Sequence, residues 1–305
     1  MSAIGSTDAA DAADAADAAD AASGGSGALL RVSPVIRPIG TSPGLARTAP
    51  GGNFPGNDWP PPDVTATSLD WRPAPFEQFP LAAWGGYYLS VVAIGEFVRA
   101  IAVDPVSGAN FTWRTIDLDG PIGAADLGDE LAELFNLIDY RPRVMAEALA
   151  QRSGIEVYWR GILNFNQASH PWTSDLMQIA LRVGEFQAMH YKYEHHRPRP
   201  SQISPLLMPP IEVPGHPSYP SGHATQSSLL SEILGEVMPV QAAEPLKLVA
   251  ERLARNREVL GLHYPSDSAA GKLLAAASKL LLLECPLVTR LIGLAQGEWA
   301  LDRSI

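Results

Sequence analysis

The stretch LMQIALRVGEFQAMHYKYEHHRPRP, residues 176–200, decides the fold. Ile179, Ala180, Val183, Phe186 and Met189 recur at three- and four-residue steps, the period of one helix face rather than the alternation of a strand. The helix predicted over Leu176–His195 buries that stripe and carries Lys192 near its C-terminal end. Pro200, Pro205, Pro209, Pro210, Pro214 and Pro217 then make residues 199–219 a stiff connection. A second apolar helical run covers Ala224–Met238 and a third Ala243–Leu260; a fourth, capped by Ser266, contains Leu273, Leu274, Leu280 and Leu281. Upstream, Leu131, Leu134, Phe135 and Ile138 share a face, followed by Val144–Leu149 and Val157–Phe165. The expectation is a mainly α protein, a bundle whose functional side chains come from several facing helices.

The N-terminal part has a different character. Residues 8–22 repeat Asp-Ala-Ala and run into Ser23-Gly24-Gly25-Ser26-Gly27, so residues 1–27 read as a disordered tail and linker. Residues 28–122 read as an irregular Pro/Gly-rich arm that packs in places through Trp59 and Trp71. Within it, Val91, Val92 and Ile94 favour a strand, and Val106–Asn110 closes a hairpin into Phe111–Trp113. A small β-ribbon is expected over 86–117, with a helix over Tyr87–Ala102 as the alternative. Residues 123–305 are expected to form the helical catalytic domain.

Three short clusters carry the chemistry: Lys192 to Pro200, Pro220-Ser221-Gly222-His223, and Arg257 through His263 to Asp267. A transferring phosphoryl group spreads its charge over three oxygens, so positioning and electrostatic clamping dominate its chemistry. Arg199 and Arg257 offer planar forks for such an oxyanion, and Lys192 a point charge. Ser221 and Gly222 open a helix N-terminus, where a hydroxyl and free amides suit an anion, and place His223 where a general acid belongs. Asp267 lies four residues after His263, within reach of its ring, and fixes the tautomer that leaves the other nitrogen nucleophilic.

These clusters resemble the signature of the type 2 phosphatidic acid phosphatase and vanadium haloperoxidase superfamily, over roughly Asp175–Leu283. The resemblance implies that Lys192, Arg199 and Arg257 bind phosphate or vanadate oxygens, assisted by Ser221 and the Gly222 amide. It implies that His263 attacks phosphorus, or ligates vanadium in the peroxidases, and that His223 protonates the leaving group while Asp267 orients His263. This chain has Asn256 where the family usually has Ser, which makes it a rim or selectivity candidate, and a doublet in which spacing makes Arg199 the motif residue and Arg197 a rim cation. His263 and His223 stand 40 residues apart, a compactness similar to soluble bacterial class A acid phosphatases, as is the look of the tail Cys285–Trp299 as a final helix. Against this, His216 stands five residues before Ser221, as in bromide-oxidising haloperoxidases, where it would act in selectivity.

The reading is therefore a phosphoric monoester hydrolase that needs no cofactor and takes a small phosphorylated substrate. The alternative is a vanadate-dependent haloperoxidase oxidising bromide or iodide with peroxide. A non-catalytic oxyanion-binding protein is the third reading, disfavoured because His223, His263 and Asp267 are all present. Net charge is −11, five of those charges in the Asp-Ala-Ala repeat, and no basic stripe suits nucleic acid. Zinc is not expected at His190, His195 and His196, which lack Cys or carboxylate companions. The lone Cys285, the lack of an apolar leader before Arg31 and an apolar run at Leu273–Leu283 broken by Lys279 lead to an expected cytoplasmic location without a membrane span. Class A acid phosphatases are normally exported, so that location departs from the resemblance. Whether the chain forms a homo-oligomer is left open.

Overall fold

A computed structural model of the chain describes residues 79–300 apart from 122, 123 and 153. The tail, the linker and residues 28–78 of the arm, with Trp59 and Trp71, lie outside the described residues.

The architecture is mainly α. In chain order it comprises α1 (Gly86–Phe97), β1 (Ala102–Val103), β2 (Asn110–Phe111), α2 (Ala124–Asn136), α3 (Arg141–Ala150), α4 (Val157–Leu163) and α5 (Pro171–His195). It continues with α6 (Pro200–Ile203), α7 (Gly222–Val237), α8 (Ala243–Val259), α9 (Pro265–Leu283) and α10 (Pro286–Ala300). Helix α7 is central, packed by α5, α8 and α9, while α1 and α10 cover the far side of α5. Its buried residues include Ala224, Ser227, Leu230, Ser231 and Leu234 on several faces, as a helix enclosed by neighbours requires.

Small residues set the depth of these crossings. A β-carbon on Gly271 of α9 would lie 2.8 Å from the Ser221 carbonyl oxygen and 2.9 Å from Ala224 Cβ. One on Gly184 of α5 would lie 3.0 Å from Gln226 Cα. Glycine at these points lets α5 and α9 approach the N-terminal half of α7, the end that carries the Ser221–His223 cluster.

Three Pro-initiated helices have their N-termini capped by glutamates from elsewhere in the chain. Glu298 of α10 accepts from the Trp172 and Thr173 amides of α5 at 2.7 and 2.9 Å. Glu130 of α2 accepts from the Ser266 amide of α9 at 2.7 Å, and Glu96 of α1 from the Leu287 amide of α10 at 2.9 Å. A carboxylate there satisfies orphan N–H donors and complements the positive end of the helix.

Two sequence expectations are corrected. Residues Val91, Val92 and Ile94 belong to helix α1, and the ribbon is reduced to two residues per strand, with Ala102 opposite Phe111 and Val103 opposite Asn110. The buried positions Leu89, Ala93 and Phe97 recur every four residues, whereas Val91 and Val92 are exposed. Burial thus overrides β-propensity: Val91 and Val92 face outward while Ile94 is half-buried against the core. Helix α9 begins at Pro265 with Tyr264 at its N-cap, so Ser266 is inside the helix and is not its cap.

Among the described residues no single helix is long and apolar enough to cross a membrane. The pair α9 and α10, bent by 92°, meets the length and composition test only when taken together.

Gly271 and Gly293 should respond oppositely to alanine. At Gly293, in the exposed flank of α10 with no atom near a new β-carbon, Gly293→Ala should stabilise the fold by about 0.5–1 kcal/mol through helix propensity. Gly271→Ala should instead cost about 1–3 kcal/mol from overpacking against α7. Urea denaturation of both variants checks this, and equal signs would refute the close approach.

Candidate active site

The three clusters converge because of how their helices end. Helix α5 stops at His196, whose φ of +49° turns the chain into Arg197-Pro198-Arg199, and Pro200 starts the short α6. Ser221 caps α7 and its hydroxyl accepts from the Ala224 amide at 3.4 Å. Arg257 sits on the last turn of α8; Gly261, at φ +72°, then turns the chain so that His263 faces back toward α5.

Asp267 joins the clusters. Its Oδ2 accepts from His263 Nδ1 at 3.1 Å, from the Tyr264 amide at 3.0 Å and from the Ser218 hydroxyl in a very short contact. Its Oδ1 accepts from Arg197 at 2.7 Å. With Nδ1–H committed to the carboxylate, His263 Nε2 keeps its lone pair, which accepts from Arg199 Nη1 at 3.0 Å. Burial, then Arg199 and Lys192, hold the His263 pKa well below the usual imidazole value, so the ring is neutral.

Arg197 is not at a rim. It is 6% exposed, ion-paired to both Asp267 and Glu130 at 2.7 Å, and its guanidinium lies 3.8 Å over the Tyr264 ring. Two carboxylates and an aromatic face explain its burial, a surrounding that spacing along the chain does not reveal.

The other cations are held mainly by neutral oxygens. Lys192 Nζ donates to the Pro217 and Ser218 carbonyls at 2.8 and 3.0 Å. Arg199 donates to the His216 and Leu262 carbonyls and to His216 Nδ1. Arg257 Nη2 donates to the Ala148 carbonyl at 2.5 Å and Gln151 Oε1 at 3.3 Å, and its buried Nε has no partner. Among the described residues neither Lys192 nor Arg257 forms an ion pair. Burial foremost, then Arg199, pulls the Lys192 pKa well down although Asp267 opposes it; burial, then Arg152, lowers Arg257 to about 10.

These groups border a cavity of about 150 Å³ lined by Arg199, His216, Gly222, His223, Arg257 and His263. Ile155, Leu181, Met189 and Ile211 form apolar wall, and Arg152, Arg182, Glu156, Glu185 and Glu212 add charge. Met189, expected in the buried stripe of α5, is 39% exposed and belongs to this wall. Lys192 and Ser221 lie just behind the lining, with Lys192 Cε 4.0 Å from where a Gly222 β-carbon would sit. Buried cations and a neutral imidazole around one space suit a tetrahedral oxyanion, phosphate or vanadate alike.

His223 Nε2 donates to the Gln151 carbonyl at 3.0 Å, so its Nδ1 is unprotonated in the neutral ring. Burial, then Arg257, brings its pKa to about 3; burial, then Lys192 and Arg199, does the same for His216. Asn256, expected at the rim, is 3% exposed and donates to Gln151 Oε1 at 3.0 Å behind the cavity. His190, His195 and His196 pack on Trp113, Tyr219 and Tyr193 respectively. Sequence reasoning missed Ser218, Glu130 and Gln151. Ser218, three residues before Ser221, carries a local signal; the other two lie far from every cluster in sequence.

No family model matches the chain. Over 140 residues it is 30% identical to the decaprenylphosphoryl-5-phosphoribose phosphatase of Mycolicibacterium smegmatis, covering 41% of this chain and 75% of that protein. Over 84 residues it is 33% identical to the protein of the same name from Mycobacterium tuberculosis, covering 26% of this chain and 42% of the relative.

The neutral histidines give the fold a pH signature. An unfolded imidazole takes up its proton near pH 6.5, whereas His216 and His223 stay neutral in the fold down to about pH 3. Between those values the unfolded chain binds more protons, so stability falls as pH falls, by up to about 1.4 kcal/mol per pH unit for each ring. Urea midpoints recorded from pH 7 to 4.5 should decline less steeply in His216→Gln than in wild type. Identical slopes would mean that His216 is already charged in the folded chain.

Proposed function

The chain belongs to the phosphatase family of these mycobacterial proteins, and from that premise we propose that it hydrolyses small phosphate monoesters through a phosphohistidine on His263. The observation that carries the reading is the His263 ring, neutral, tethered through Nδ1 to Asp267, with Nε2 on the same cavity as Arg199 and Arg257.

In the proposed reaction the phosphoryl oxygens occupy the space bordered by Arg199, Arg257 and the Gly222 backbone, with Lys192 supplying field from behind. An arriving oxyanion is a better acceptor for Arg199 than a neutral ring nitrogen, so Arg199 turns to it and frees Nε2. The Nε2 lone pair forms the N–P bond as the bond from phosphorus to the leaving oxygen breaks, and Asp267 stabilises the positive ring that results. His223 gives its proton to the leaving oxygen. Water then attacks phosphorus, its proton returns to His223, and the N–P bond breaks to release phosphate.

Burial, then the field of Arg257, gives His223 a low pKa, yet this role needs it protonated. A phosphate dianion bound to the cations offsets that field and raises the pKa where the proton is needed. The relatives are named for decaprenylphosphoryl-5-phosphoribose; for this chain the proposed substrate is a compact ester, class A acid phosphatase-like in scope. Vanadate fits the same donors, with His263 as the ligand; when bound it would supply peroxide activation for halide oxidation, with His216 at its edge on Arg199.

A paired assay on the purified chain decides between the two chemistries. Hydrolysis of p-nitrophenyl phosphate, inhibited competitively by vanadate, is expected; bromide or iodide oxidation after vanadate loading, without hydrolysis, would reverse the assignment. His263→Ala should lower kcat on the order of a thousandfold or more, while His223→Ala should leave vanadate binding largely intact. Full turnover by His263→Ala would remove the nucleophile.

A further inference from the structure

Gln151 follows the last turn of α3, 41 residues before the first cluster, and is fully buried. Its backbone carbonyl accepts from His223 Nε2 at 3.0 Å. Its side-chain Oε1 accepts from Asn256 Nδ2 at 3.0 Å and from Arg257 Nη2 at 3.3 Å, while its Nε2 donates to Glu147 Oε1 at 3.1 Å. One residue thus touches a ring and a guanidinium that face the cavity from two different helices.

The amide has a single sensible orientation. Its oxygen meets two donors and its nitrogen meets a carboxylate; turned over, it would set N–H₂ against a guanidinium and C=O against Glu147. Arg252 locks the far side of Glu147 with bonds of 3.0 and 2.6 Å. The end of α3 adds its own polarity, because the carbonyls of Ala148 and Gln151, near the negative end of the helix, face Arg257 and His223.

Resting on the phosphatase reading, we propose that Gln151 is the positioning residue for the Arg257–His223 half of the pocket. Its amide holds the Arg257 fork without cancelling the charge. Its carbonyl fixes His223 as the Nε2–H tautomer, leaving Nδ1 to exchange the proton. A glutamate of nearly the same shape would pair with Arg257 and repel Glu147, so the neutral amide is the feature that matters.

Gln151→Met and Gln151→Glu in the full chain separate these roles, with KM, kcat and their pH profiles for p-nitrophenyl phosphate and the melting shift induced by inorganic phosphate. Gln151→Met removes the side-chain bonds and keeps the carbonyl. It should weaken phosphate binding and raise KM about tenfold, the scale of one charge-assisted hydrogen bond, while the pH profile of kcat stays in place. Gln151→Glu should weaken phosphate binding further. Wild-type phosphate affinity in Gln151→Met, or a loss of kcat with phosphate affinity unchanged in both variants, would overturn the inference. Should neither variant fold, Glu147→Gln carries the test, since loosening the far end of the amide should also weaken phosphate binding, and an unchanged affinity there overturns it. A wild-type chain that neither hydrolyses the ester nor is stabilised by phosphate would instead remove the phosphatase reading itself.

Discussion

The Asp267 carboxylate is the joint on which the site depends. It receives Arg197 from the first cluster, Ser218 from the lead-in to the second, and His263 with the Tyr264 amide from the third. The Asp267 carbonyl also accepts from the Ser221 amide at 2.9 Å, fixing the start of α7 against α9. Removing one partner from a buried charged pair leaves the other uncompensated, at a cost of about 3–5 kcal/mol. Asp267 therefore orients an imidazole and, by the same bonds, holds three segments distant in sequence at one place. Glu130 extends this outward: one oxygen anchors Arg197 and the other caps α9.

The second constraint is how to bury positive charge without cancelling it. Carboxylates on Lys192 and Arg257 would stabilise each cation and abolish the field that attracts an anion. Backbone carbonyls do otherwise: those of Pro217, Ser218, His216, Leu262 and Ala148 satisfy N–H donors with dipoles and leave the net charge standing. The proline-rich 199–219 connection gains a purpose from this, because it supplies three of those carbonyls, and a proline such as Pro217 accepts through its carbonyl without having a backbone N–H to satisfy. An acidic chain thereby keeps a local cationic pocket.

Much of this was legible in the sequence, and the gaps have physical causes. Helices α5, α7, α8 and α9 were read from apolar period because each buries a continuous face, and the clusters were read because their chemistry is local in sequence. Helix α1 is only the alternative reading of its sequence because Val91 and Val92 lie on the exposed side, where they report propensity and not packing. Arg197 and Arg199 are two residues apart and chemically alike; only the fold places one on Asp267 and Glu130 and the other on the cavity. Gln151 was invisible because half of its contribution comes from a main-chain oxygen, which any residue would offer. The glutamate caps were equally hidden, since Glu298, Glu130 and Glu96 each act on a helix far away in sequence.

In the proposed reaction the division of labour between the two cavity histidines follows from which nitrogen each ring has free. His263 spends Nδ1 on a carboxylate, an acceptor that strengthens as the ring gains positive charge, so its remaining Nε2 suits bond formation to phosphorus. His223 spends Nε2 on a carbonyl, a weaker partner that gives little help to a cationic ring. A proton on His223 Nδ1 is thus held loosely, as the proposed transfer to a leaving oxygen requires. Both rings start neutral through burial and neighbouring cations, and the bound dianion supplies the counter-charge that lets one of them become an acid. In the proposed reaction the substrate's own charge completes the catalytic apparatus.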